Sequence, residues 1–123
     1  MQVLVVDDSR ATRAVLRQIL KALGFDVTEA GHGLEALERL KEMEKPDLVL
    51  VDWNMPEMNG YEFVQAVRAE SDYDQIPLMM VTTETEVSQV TKALSAGANE
   101  YVMKPFTKEV ILAKLDILGI PRV

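Results

Sequence analysis

The sequence contains no cysteine, which removes disulfides and thiolate metal ligands and makes a cytoplasmic setting the default. No apolar run approaches the roughly 20 residues that cross a bilayer. The first apolar segment starts at Val3, too early to follow a signal peptide. Basic residues are in deficit, 13 against 20 acidic, for a net charge of −7. That balance works against the phosphate neutralisation on which nonspecific nucleic-acid binding depends, and against anionic membranes. Neither nucleic acid nor membrane is therefore expected as a partner, and small size with an acidic surface favours a monomer. Linkers, low-complexity tracts and internal repeats are also missing. What remains is 123 residues, 48% apolar and 27% charged, the profile of one globular domain over 1–123.

Short apolar runs alternate with helix-period segments. The runs are Val3–Val6, about Phe25–Thr28, Leu48–Val51, Leu78–Val81 and Tyr101–Met103, and their β-branched content with bounding Gly or Pro predicts strands. Between them lie five helix faces. Val15, Leu16, Ile19, Leu20 and Leu23 form the first, stopped by Gly24. Leu34, Leu37, Leu40 and Met43 form the second, ended before Pro46. Phe63, Val64 and Val67 form the third, and Val87, Val90 and Leu94 the fourth, ended at Gly97. Ile111, Leu115 and Leu118 form the last, before Gly119 and Pro121. Five strands alternating with five helices give an α/β fold, a doubly wound parallel sheet covered on both faces. The strand order 2-1-3-4-5 is borrowed from flavodoxin-like folds of this size.

In such a sheet ligands bind beyond the carboxyl ends of the strands, in the crevice between strands 1 and 3. The apolar run "VLVV" ends on Asp7 and Asp8, "LVLV" on Asp52, strand 4 on Thr82 and strand 5 on Lys104. Only strand 2, at one edge, brings nothing comparable. Singly, each residue reads as a turn or cap; four at neighbouring strand ends read as a site. Three carboxylates together are costly without a cation. Oxygen-only ligands with room for water suit Mg2+, with Mn2+ as a substitute ion. A metal, a lysine and a spare carboxylate are equipment for phosphoryl transfer. Asp52, alone on the central strand, is assigned as nucleophile and phosphoacceptor. Asp7 and Asp8 hold the metal, with the Asn54 backbone carbonyl completing the sphere. Thr82 donates a hydrogen bond to the phosphoryl group, and Lys104 acts on it as a point charge.

With "VDD" at 6–8, "VDWNMPEMNGYEF" at 51–63, "VTTE" at 81–84 and "YVMKPF" at 101–106, the whole chain resembles the receiver domain of two-component response regulators, and within it the single-domain chemotaxis regulators. The resemblance implies a histidine kinase, of the chemotaxis type, that donates its phosphoryl group to Asp52. It implies a switch pair, Thr82 and Tyr101, a cis bond before Pro105, and a downstream target such as the flagellar motor switch. Such a chain is a phosphoacceptor protein rather than an enzyme. Asn54 and Glu84 match the pair that speeds dephosphorylation in the family, which implies rapid self-dephosphorylation. Thr83 departs from the small residue usual after the switch Thr, and its bulk could narrow access.

The fourth helix, "ETEVSQVTKALSAGA", is rich in mediocre helix formers. The expected partner surface is helix 4, strand 5 and helix 5, with Tyr101 central. His32 reads as a loop residue, Met79 and Met80 as core filler, and Trp53 as a loop aromatic whose fluorescence reports metal. Two rivals fail on local pattern. A flavin carrier would not present carboxylates in its first loop, and an aspartyl-phosphate phosphatase separates its two Asp residues by one. A phosphorelay shuttle, or a receiver from a larger DNA-binding regulator, remains the alternative. Met1 and the ending "LGIPRV" favour a stand-alone module.

Overall fold

The computed structural model describes residues 1–83 and 88–121. Five strands, β1 (Gln2–Val6), β2 (Asp26–Ala30), β3 (Leu48–Asp52), β4 (Leu78–Thr82) and β5 (Glu100–Met103), pair in parallel in the order β2-β1-β3-β4-β5. Five helices connect or follow them: α1 (Arg10–Ala22), α2 (Gly33–Glu42), α3 (Gly60–Arg68), α4 (Val90–Ala96) and α5 (Lys108–Leu118). The expected doubly wound sheet is thus present in the expected order. A 3₁₀ turn at Ser71–Tyr73, not expected from the periodicity, leads from α3 toward β4.

Strand alternation divides the core in two. Val3, Val5, Leu48, Leu50, Met79, Val81 and Val102 face α1 and α5 and meet Leu16, Leu20, Ile111 and Leu115. Leu4, Val6, Val49, Val51, Leu78 and Met80 face the other way, toward Ala36 and Leu40 of α2, Phe63, Val64 and Val67 of α3, and Ala93 of α4. Because both faces are covered, β1, β3 and β4 read as continuous apolar runs.

Side-chain caps fix where the helices begin. Ser9 accepts from the Thr12 amide at the start of α1, and Thr107 from the Val110 amide at the start of α5. Asn59 and Glu62 form a reciprocal capping box at the start of α3. His32, expected as a loop residue, caps α2: its Nδ1 accepts from the Glu35 amide at 3.2 Å. At α4 the cap residue Gln89 makes no side-chain cap hydrogen bond among the described residues.

Three boundaries and faces depart from the sequence reading. β2 starts at Asp26 rather than Phe25 and runs on to Ala30, because its register follows β1 from Gln2 to Val6. Val15, Leu34 and Leu94 satisfy the helical period but are exposed, lying at the margins of faces that α1, α2 and α4 turn to the sheet. Val87 lies outside the described residues, so the described fourth helix is shorter than its apolar period.

Candidate functional site

The carboxyl ends of β1, β3, β4 and β5 converge on one crevice. β3 lies between β1 and β4, so Asp52 sits between the acidic pair and the Thr82 end of β4. Carboxylate oxygens of Asp7, Asp8 and Asp52 all lie within 4.8 Å of one another. Asp7 is 1% exposed and Asp52 5%, whereas Asp8 opens to solvent. Lys104, at the end of β5, brings its Nζ to 3.2 Å from Asp52 Oδ1 and 3.5 Å from Asp7 Oδ2. Thr82 is buried beside them; its hydroxyl donates to the Thr83 carbonyl at 3.3 Å, and its own carbonyl accepts from the Lys104 amide at 2.7 Å.

Burial and mutual repulsion set the electrostatics. Burial, joined by the Asp7 charge, raises the Asp52 carboxyl from 3.8 to about 6, against the lowering pull of Lys104. Burial also raises Asp7, opposed by the Ser9 amide and by Lys104. Burial acts to lower Lys104, but the carboxylates of Asp52 and Asp7 outweigh it and hold its pKa above the ordinary value. One lysine therefore does not neutralise the cluster. The Ser9 amide donates to Asp7 Oδ1 at 2.8 Å, while the buried Asp7 Oδ2 has, among the described residues, only the ion pair with Lys104 at 3.5 Å. A buried carboxylate oxygen held only by that long contact, within a group of three acids, fits a hard divalent cation with water in its sphere.

The remaining expected residues surround this centre at different distances. Asn54 is exposed in the loop two residues beyond Asp52. Tyr101 is half-buried on β5 against the α4 side of the core, with Lys114 Nζ 4.5 Å from its ring centroid. The Lys104–Pro105 bond is cis. Thr83 follows β4, half-buried. Glu84 lies outside the described residues.

Trp53 lies in the loop just after β3, as expected, but is buried there, with its ring centroid 6.2 Å from that of Tyr61. The chain turns sharply there: the Gly60 amide donates to the Trp53 carbonyl at 2.9 Å. A Cβ on Gly60 would lie 2.6 Å from the Asp52 carbonyl, so glycine is what lets α3 start against the end of β3.

Three residues with no assigned role support the site or its frame. Arg13 donates to the Asp7 carbonyl and pairs with Glu29 of β2, so the edge strand contributes after all. Arg68 donates to the carbonyls of Gly97, Tyr73, Asp74 and Ile76 and to Asn99 Oδ1 at the opposite ends of β4 and β5. The arginines at 13 and 17 lie one helical turn apart, a spacing equally at home on a solvated helix face, so nothing local announced Arg13 or Arg68.

A doubly wound sheet with an acidic triad at the ends of β1 and β3 and a lysine at the end of β5 is the architecture of a signalling receiver. The chain belongs to the response regulator receiver domain family, whose pattern matches residues 3–116. It is 50% identical over 121 residues to the chemotaxis protein CheY homolog of Campylobacter jejuni, covering 97% of this chain and 93% of that protein. It is 45% identical over 119 residues to chemotaxis protein CheY1 of Helicobacter pylori, with 96% of each chain covered. Among solved structures, chemotaxis response regulator CheY4 of Vibrio cholerae superposes with a TM-score of 0.87 at 38% identity, covering 95% of this chain and 97% of that one. No described helix is long and apolar enough to cross a membrane.

Proposed function

We propose that residues 1–123 act as one receiver domain that takes a phosphoryl group on Asp52 from the phosphohistidine of a chemotaxis-type histidine kinase in the cytoplasm, and so controls binding to a target such as the flagellar motor switch. The observation that carries this reading is the gathering of three carboxylates within 4.8 Å, with Lys104 in reach of two.

Asp7 and Asp8 would hold Mg2+ together with Asp52 and the Asn54 backbone carbonyl. When bound, the ion supplies positive charge to the transferring phosphoryl oxygens. An Asp52 carboxylate oxygen attacks phosphorus in line; the bond to the donor imidazole nitrogen breaks, and that nitrogen keeps the electron pair and is reprotonated. Lys104 Nζ, already beside Asp52, neutralises equatorial charge, and the Thr82 hydroxyl turns from the Thr83 carbonyl to the new phosphoryl oxygen.

Output runs through the opposite flank. Tyr101 packs against the core cluster that includes Ala93 of α4 and has Lys114 of α5 over its ring, so it lies within the proposed α4-β5-α5 surface. Gln89, which precedes α4, makes no side-chain cap among the described residues, which leaves more of the holding of α4 to packing. Asn54, with Glu84, would orient the water that returns Asp52 to its free state.

Incubation with acetyl phosphate and Mg2+, read by intact mass, tests the reading. Wild type gains one phosphoryl group and Asp52→Asn gains none. Equal labelling of both, or none with any divalent ion, refutes it. Transfer from a phosphorylated chemotaxis kinase and binding to the motor switch protein then test the finer assignments.

A further inference from the structure

We propose that Arg13, braced by Glu29 of the edge strand, is a positioning residue for the acidic cluster: by holding the Asp7 carbonyl it fixes the peptide joining Asp7 to Asp8 in the orientation that receives a divalent cation. The inference rests on the metal-dependent reading above.

The geometry begins where the ladder between β1 and β2 stops. Its last bond runs from the Asp7 amide to the Ala30 carbonyl at 3.1 Å. The next acceptor along β1 is the Asp7 carbonyl. β2 cannot supply its donor, because β2 ends at Ala30 and the amide that the ladder would next aim at this carbonyl belongs to His32, which lies beyond the strand as the cap of α2. The Arg13 guanidinium takes that place through Nη1. Its Nε stays 3.2 Å from Glu29 Oε1, while Arg17 Nη1 holds the other Glu29 oxygen at 2.6 Å. A carboxylate gripped on both oxygens is a fixed point, so the fork that spans from it to Asp7 is fixed as well.

Asp7 is thus tied at its amide by Ala30, at its carbonyl by Arg13 and at Oδ1 by Ser9. Asp8 follows directly on the restrained peptide. This restraint has work to do, because like charges this close drive the backbone at the strand end to splay. Ligands held in place before the ion arrives bind it more tightly than ligands that must be gathered, and groups that orient metal ligands typically alter affinity by tenfold or more.

Positioning and bare charge predict opposite signs. Arg13 is a cation near a cation site, so if it acted through charge alone its removal would tighten Mg2+ binding. If it positions, removal weakens binding. Mg2+ affinity of the full chain, read from amide shifts by NMR and from Trp53 fluorescence, should weaken about tenfold in Arg13→Ala. The loss should be smaller in Arg13→Lys, which reaches one partner but not both, and intermediate in Glu29→Gln. Unchanged or tighter Mg2+ binding in a folded Arg13→Ala overturns the proposal, even if thermal stability falls. Should Arg13→Ala fail to fold, wild-type affinity in both Arg13→Lys and Glu29→Gln overturns it equally. Wild type without a saturable Mg2+ response would refute the metal reading itself, whereas wild-type binding matched by the variants refutes only the role of Arg13.

Discussion

Replacing Asp52 with Asn should make the metal-free protein more stable at neutral pH, and the gain should depend on pH in a defined way. In the unfolded chain the carboxyl titrates near its ordinary 3.8; in the fold, burial and then the Asp7 charge raise it to about 6. Below about pH 4 the group is protonated in both states and costs nothing. Above about pH 6 it is ionised in both, and the folded state carries the full cost of a buried anion. Between those limits the native state binds more protons, so the contribution of Asp52 to stability falls as pH rises. A displacement of about two pH units corresponds to about 3 kcal/mol. Lys104 keeps Asp7 as a partner at 3.5 Å in the variant, which limits the offsetting loss. Glu29 works in the opposite sense: its carboxyl is lowered by Arg17 and Arg13 despite burial, so its stabilisation is lost as pH falls. That contribution is common to both proteins and cancels in their difference. Urea unfolding with a chelator present, from about pH 4 to pH 8, should show Asp52→Asn nearly equal to wild type at the acid end and about 3 kcal/mol more stable above pH 7. A variant no more stable at pH 7, or a difference that ignores pH, refutes the argument.

Gly60→Ala would place its Cβ 2.6 Å from the Asp52 carbonyl and 3.0 Å from Trp53 Cα. The β3–α3 junction must open, so urea unfolding should show a loss of about 2–3 kcal/mol, and Mg2+ titration a weaker site. Arg68→Ala removes a guanidinium donor from four carbonyls and from Asn99 Oδ1, of which Asn99 keeps the Leu78 amide and Tyr73 the Ile76 amide. It should cost about 3 kcal/mol by the same measurement yet leave Mg2+ affinity unchanged, since those groups sit at the far ends of β4 and β5. Glu57 holds φ 67°, where a side chain is disfavoured. Glu57→Gly should therefore raise unfolding stability by about 0.5–1 kcal/mol, partly offset by the greater freedom of glycine in the unfolded chain.

The strands and the acidic centre were legible for one reason. A parallel strand buried on both faces must be apolar until it leaves the sheet, so a run such as Leu48–Val51 followed by Asp52 marks both an element and its exit. Where several runs exit at one edge of the fold, their first polar residues share a crevice. The helix faces were less legible at their margins. Val15, Leu34 and Leu94 obey the 3.6-residue period, but the width of the sheet, which no local window contains, decides which rim positions are covered. Long side chains were least legible of all. Arg13 reaches a strand end six residues behind it and a second strand sixteen ahead, and Arg68 reaches as far as Asn99. Such contacts depend on the path of the chain in space, and the sequence marks an arginine there no differently from a solvated one. The burial of Trp53 within its loop was not legible, because it comes from the turn closed by the Gly60 amide and not from sequence neighbours.

The electrostatic cost of the site and its signalling role are connected. Asp7, Asp8 and Asp52 against one Lys104 leave an excess of negative charge where two of the acids are buried. A phosphoryl group on Asp52 would exchange a single carboxylate charge for about −2 on three exposed acceptor oxygens, deepening that excess. Relief must come from groups able to move toward it, and the two nearest are joined. The Lys104 amide donates to the Thr82 carbonyl at 2.7 Å, so a pull on the Thr82 hydroxyl or on the Lys104 ammonium is felt at the ends of both β4 and β5. β5 carries Tyr101 three residues upstream, its backbone amide bonded to Glu100, which in turn pairs with Lys114 of α5 at 3.1 Å. Lys104, the cation paired with the acidic cluster, thus follows the same strand that carries the aromatic ring at the proposed output surface, and under the proposed function a change of charge at Asp52 would bias the packing around Tyr101.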